Sequence, residues 1–345
     1  MSSAAYQNST IIINTNVGNV WDSYNNAVSD ERRQILEWLS PLAPRERHRA
    51  VSEGRMDGVG DWLLRTNEFE KWHRGKDKAV HPVLFCYGDP GVGKTYLRSV
   101  GIGLLNRRGK TKCGNISSLV IDTLCDSIDQ NNVAVTCVYC DFHAHKDQSA
   151  TGVLAALLKQ LVAAVKHIPK EISEAFERAK QAVDGRTLRL HEVRAMFVKS
   201  LASLKRGFIC IDALDEFPIK HRPELWDSLQ YVVRECPNTR LFMTGRLHIR
   251  EEVKKYFHGY PDLAPIKPTE EDIRGYITMR LKKDLELDAM DTELEAEILR
   301  IIPDRISEAY VTSVDSYQRF SANSGLQIPS CFPDYGCGSG RCDNT

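Results

Sequence analysis

Residues 88–95 read GDPGVGKT and follow directly on the apolar run HPVLFCY (81–87). No other stretch restricts the fold so tightly. A chain that leaves a buried strand, curls through glycines and meets a lysine–threonine pair turns its backbone N–H groups toward a small anion. Gly88, Gly91 and Gly93 permit the curl, with Asp89, Pro90 and Val92 between them. Lys94 would reach the β- and γ-phosphates of a nucleotide, and the Thr95 hydroxyl would hold Mg2+. A helix starting here adds the positive end of its dipole. The alternative is a Gly-rich turn with a chance lysine, and the next motif argues against it.

That motif is FICIDALDE, residues 208–216. An apolar strand delivers Asp212 at its C-terminal end, where a carboxylate can hold Mg2+ through its water shell. Asp215 and Glu216 follow within a turn, and either can orient or deprotonate an attacking water. Taken alone, the stretch reads equally well as a solvated acidic turn. A third element, RLFMTGR (240–246), ends a strand at Thr244 and Arg246. In a parallel sheet that end shares an edge with the Gly-rich loop. Thr244 would then sense a γ-phosphate and Arg246 would neutralise it; a surface arginine in a turn is the plainer reading.

Between these motifs the pattern alternates. HPVLFCY, VAVTCVYC (133–140), GFICI (207–211) and RLFMT (240–244) are short apolar runs suited to strands buried on both faces. Val153, Leu157, Leu161 and Val165 form one helical stripe; Leu190, Val193, Phe197, Leu201 and Leu204 form another. Strand–helix repetition predicts an α/β fold: a three-layer arrangement with a parallel sheet, a short helical leader and a partial C-terminal helical extension. The expected divisions are a polar, disordered leader (1–30), a helical linker anchored by Trp38, Trp62, Phe69 and Trp72 (31–80), the nucleotide domain (81–267), the start of a helical domain (268–309) and an irregular tail (310–345). Thr269 with Asp272, and Thr292 with Glu295, have capping-box spacing.

Charge narrows the partners. The 46 basic and 46 acidic side chains cancel, which leaves no electrostatic footprint for nucleic acid or an anionic membrane. No run approaches the ~20 apolar residues that span a bilayer. Ten scattered cysteines, several inside strand-like runs, fit a reduced, cytoplasmic protein.

These motifs resemble the NACHT branch of signalling P-loop ATPases, also described as nephrocystin-like NTPase domains, and within it the fungal NOD-like receptors. The likeness is carried by ILEWLSPL, GVGDWLLRTNEFEKWHRG, VLFCYGDPGVGKTYL, CVYCDFHAH, FICIDALDE, LFMTGR and PIKPTEEDIRGYI, across residues 31–308. The resemblance implies an ATP- or GTP-binding switch with Mg2+ and at most slow hydrolysis. It also implies self-association through the NTPase domain, in fungal non-self recognition or cell death. A truncated, catalytically impaired paralogue acting as an interaction module is the alternative, and a housekeeping P-loop ATPase a third reading.

The chain departs from that pattern in three places. No repeat array follows residue 267, and after Ala309 the helical period stops, as in translated intron or frameshifted sequence. Residues 98–116 interrupt the helix expected after Thr95. Removing them lines up Leu97, Val120, Leu124 and Ile128, so this segment is expected to be an insertion of the kind a retained short intron leaves. Cys137, Cys140, His143 and His145 invite a zinc site, but Cys137 and Cys140 should point to opposite faces of a strand. The Asn-rich run at 9–26 reads as a disordered leader, with an amyloid-like N-terminal partner as the other possibility. Trp62 reads as core packing, with a place near a nucleotide base as the alternative.

Overall fold

The computed structural model describes residues 30–53, 55, 58–75, 81–88, 116–127, 132–141, 148–165, 167–181, 187–257, 262–266, 269–283 and 296–301. They fall into two compact units, one reaching to residue 266 and the other starting at Thr269. The first opens with helices α1 (Asp30–Leu39), α2 (Pro44–Ser52), α3 (Asp61–Leu64) and α4 (Asn67–Arg74). Strand β1 (Val83–Tyr87) follows, then α5 (Ile116–Asp126), β2 (Val133–Tyr139), α6 (Ala150–Ala164), α7 (Lys170–Gln181) and α8 (Leu190–Ala202). The unit continues with β3 (Arg206–Asp212), α9 (Arg222–Glu235), β4 (Thr239–Gly245), α10 (Arg250–Tyr256) and β5 (Asp262–Pro265).

The five strands make one sheet in the order β2–β3–β4–β1–β5, and every pairing is parallel. Alternation along each strand sends side chains to two separate cores. Phe85, Val138, Ile209, Ile211, Leu241 and Met243 join one core with α1 and α6 to α10; Leu84, Cys86, Cys137, Phe208, Cys210 and Phe242 join the other with α3, α4 and α5. The expected α/β three-layer architecture is therefore present. All four expected strands form. β5 was not expected from the sequence, because DLAP is short, lacks a β-branched run and ends in a proline that only an edge tolerates.

The helices before β1 belong to this packing. Trp72 of α4 is fully buried, its ring packing against Phe69, Phe208 and Phe242 while its Nε1–H donates to Pro82 O at 3.1 Å. The C-terminal end of α4 has carbonyls without helical partners. Arg206 donates to His73 O (2.8 Å) and Gly75 O (2.6 Å), and Arg240 to Gly75 O (2.7 Å). Two cations at the negative end of a helix dipole are well placed, and burial pushes both guanidinium pKa values down. On the other face α1 and α6 cap each other. Arg32 donates to Val162 O, Ala163 O and Val165 O at the end of α6, and Lys159 to Ser40 O and Leu42 O at the end of α1.

Cys137 and Cys140 lie in different cores, so they cannot close a chelate. Burial pushes the Cys137 thiol up to about 12. Among the described residues no group of His, Cys, Asp and Glu is arranged for a metal, and no helix is long and apolar enough to cross a membrane. His143 and His145 lie outside the described residues, as do the leader at 1–30 apart from Asp30, the suspected insertion apart from Ile116, the Thr292–Glu295 box and the tail at 310–345.

The second unit carries α11 (Glu270–Lys283) and a short helix at 296–301. The first capping box is real: Asp272 N donates to Thr269 Oγ1 at 3.1 Å, and Thr269 N to Asp272 Oδ2 at 3.0 Å.

Candidate functional site

Parallel strands end on one edge, and three of the expected site segments reach it. β1 runs into Gly88, and its last pairs with β4 are Cys86 with Thr244 and Tyr87 with Gly245. β3 ends at Asp212, whose partner on β2 is Tyr139. Asp212 and Thr244 continue the face of Cys210 and Phe242, above α5. Asp89, Pro90, Gly91, Val92, Gly93, Lys94 and Thr95 lie outside the described residues.

Asp212 is 7% exposed and held by hydroxyls. Thr244 Oγ1 donates to its Oδ1 at 2.6 Å, and Ser117 Oγ of α5 donates to the same oxygen. Thr244 in turn accepts from Ala213 N–H at 2.9 Å. That amide is aimed by an unusual backbone, since Ala213 has φ 52°, in the left-handed region where a Cβ is costly. The turn after Asp212 thus folds back on β4.

The acidic turn is tied down at two further points. Asp215 takes the Arg246 Nε at 2.9 Å and the Arg246 backbone N–H at 3.0 Å, so two expected site residues form an ion pair. Glu216 closes the same single turn of 3-10 helix. Arg222, at the start of α9, donates to Asp215 O (3.3 Å) and Phe217 O (3.0 Å), and pairs with Glu252 of α10 at 3.0 Å. Gly245 permits the close approach beyond Thr244, because a Cβ there would stand 2.3 Å from Ile249 Cδ1.

Sequence reasoning placed Asp212, Asp215, Glu216, Thr244 and Arg246 on this edge and missed Ser117, Arg222 and a polar cluster on α5. Asp122 of that helix receives Ser52 Oγ at 2.7 Å and Arg55 Nη1 at 2.5 Å, and lies 2.9 Å from His48 Nε2. His48 Nδ1 lies 2.8 Å from the Tyr139 hydroxyl, and Arg55 also reaches Ser118 Oγ at 3.3 Å. The cluster fastens the segment around α2 to the helix that carries Ser117. Asp122, the one charged residue in ISSLVIDTLC, was the available signal. Trp62 packs at the margin of the α5 core.

Burial alone would push the Asp122 carboxyl up; the hydrogen bonds from His48, Ser52 and Arg55 outweigh it and hold the group at about 2. A carboxyl depressed in the folded state stabilises it above the unfolded pKa, and that contribution is lost as pH falls toward the folded value. The full shift corresponds to roughly 2.5 kcal/mol, which partial exposure reduces to about 1–2. Asp122→Asn is expected to lose that amount at neutral pH. In urea titrations the gap to wild type should narrow below about pH 4; a gap independent of pH would show that the charge contributes nothing.

Comparison with known proteins gives three findings. The family model described as nephrocystin 3, N-terminal, matches residues 58–246, more than half of the chain. The vegetative incompatibility protein HET-E-1 of Podospora anserina is 26% identical over 183 residues, which is 52% of this chain and 12% of that protein. Among solved structures, a Walker-type ATPase of Pyrococcus abyssi superposes with TM-score 0.42 at 15% identity, covering 77% of this chain and 72% of that one. The ORC1 protein of Aeropyrum pernix, solved in complex with DNA, gives 0.40 at 16% identity, covering 86% and 71%.

Proposed function

The chain belongs to the nephrocystin 3 N-terminal family, and we propose that it binds ATP or GTP with Mg2+ and hydrolyses it slowly as a signalling switch. The observation that carries this reading is the convergence of Gly88, Asp212 and Thr244 on one corner of a parallel sheet, where GDPGVGKT leaves β1. Lys94 and Thr95 would hold the phosphates and the metal, with the loop amides of residues 88–93 around them. The donor set fits a hard cation, since Asp212, Ser117 and Thr244 offer oxygen alone, and a nucleotide-bound Mg2+ needs only one or two protein oxygens beside phosphate and water. When bound, the metal neutralises charge on the phosphate oxygens.

The protein's own groups would do the rest. Asp212 would position the metal, and Asp215 or Glu216 would orient the attacking water. Thr244 and Arg246, at the end of β4, would answer to a γ-phosphate. Arg246 would then exchange its carboxylate partner Asp215 for the nucleotide, which opens the acidic turn as the phosphate is read. Likeness to a vegetative incompatibility protein supports a place in fungal non-self recognition; self-association through the NTPase domain in a cytoplasmic setting is part of the same proposal. This chain spans only a small part of that relative, so its whole activity does not transfer.

The test is nucleotide binding by the purified full chain, with and without Mg2+, together with phosphate release. Lys94→Ala is expected to weaken binding at least about tenfold, the loss of one charge-assisted phosphate contact. Equal binding by wild type and variant would overturn the reading and favour an interaction module.

A further inference from the structure

One of the two hydroxyls on the Asp212 carboxylate comes from α5, 22 positions beyond Thr95 and past the suspected insertion at 98–116. Ser117 is 1% exposed and Thr244 is fully buried, and both donate to Asp212 Oδ1. Ser117 Oγ also lies 3.5 Å from Thr244 Oγ1. Two donors on one oxygen fix the rotation of the carboxyl plane, and the Ala213 amide fixes Thr244 in turn. The first turn of α5 is buried throughout, from Ile116 to Val120, so Ser117 has little freedom to leave.

We propose that Ser117 is a positioning residue: its hydroxyl holds Asp212 in the orientation that receives a nucleotide-bound divalent cation. The proposal rests on reading the corner as a metal–nucleotide site and adds a residue outside both motifs. Ser117 need not touch the metal. Losing its hydrogen bond would let the carboxylate rotate about its Cβ–Cγ bond and would lower metal affinity, while the contacts of nucleotide with the Gly-rich loop stay as they were.

The experiment compares nucleotide affinity in EDTA and in Mg2+ for wild type, Ser117→Ala and Ser117→Thr, with thermal melting as the fold control. Wild type should bind more tightly with metal. Ser117→Ala should keep its metal-free affinity within about twofold and lose about tenfold of the metal-linked gain, the scale of one hydrogen bond to a charged group. Ser117→Thr, which keeps the hydroxyl, should recover most of that gain. Should the alanine variant unfold, Ser117→Cys is the near-isosteric replacement with a weak donor. An unchanged metal-linked gain in Ser117→Ala overturns the assignment. So does a parallel fall in both affinities with melting temperature, which marks a packing role. A wild type that binds nucleotide equally with and without metal overturns the metal site itself, and one that binds none overturns the proposed function.

Discussion

Replacing Trp72 by alanine is expected to lower unfolding stability by about 3–5 kcal/mol, seen as a lower urea midpoint at unchanged slope. The residue lies outside the nucleotide domain as the sequence divides it, in the helical stretch before β1. Yet it is completely buried, with its ring centroid 5.7 Å from Phe208 and 6.0 Å from Phe242, on two adjacent central strands. Alanine would leave a cavity beneath the middle of the sheet and deprive Pro82 O of one of its two donors, leaving only the Leu241 N–H. Phe69 and the two strand phenylalanines cannot all move in to fill it, because each is itself packed. A loss below about 1 kcal/mol would mean that α4 rests on the sheet without supporting it.

The second large effect is at Arg222. Arg222→Met is expected to cost about 2–3 kcal/mol and to slow any phosphate release that wild type shows. The arginine is 4% exposed, and removing one member of a buried ion pair ordinarily costs about 3–5 kcal/mol. Glu252 is 39% exposed and keeps its bond from Trp226 Nε1 at 3.0 Å, which puts the expected loss below that range. The carbonyls of Asp215 and Phe217 lose their donor, and the turn carrying Asp215 and Glu216 loses one of its anchors. Equal turnover in a variant that is less stable would confine Arg222 to a packing role.

The sheet and its functional edge were legible for a simple reason. Strands buried on both faces, such as VLFCY and FICID, must be apolar throughout, and the motifs stand at their ends. Asp212, Thr244 and Arg246 could therefore be placed on one edge from sequence alone. What joins them was not legible. Ser117 meets Asp212 across 95 residues of chain, and Arg222 meets Glu252 across 30. Neither pairing leaves a periodic trace. The Trp-rich stretch before β1 looked like a linker because its helices are short and charged on the outside. Only the third dimension shows Trp72 under Phe208. β5 was missed because an edge strand held mainly by its backbone needs no distinctive side chains.

One feature of α6 bears on how such a sheet meets other molecules. Among the described residues β2 is the outermost strand on its side, and an outermost strand presents backbone groups to which another chain can add. Gln160 occupies that position at Cys137: its Nε2 donates to the Cys137 carbonyl at 2.8 Å, and its Oε1 accepts the Cys137 N–H at 3.0 Å. Arg45 reaches Val135 O from the same side at 3.4 Å. A side-chain amide thus stands where the next strand would run. A second copy of this chain therefore cannot pair with β2 at Cys137 without displacing Gln160.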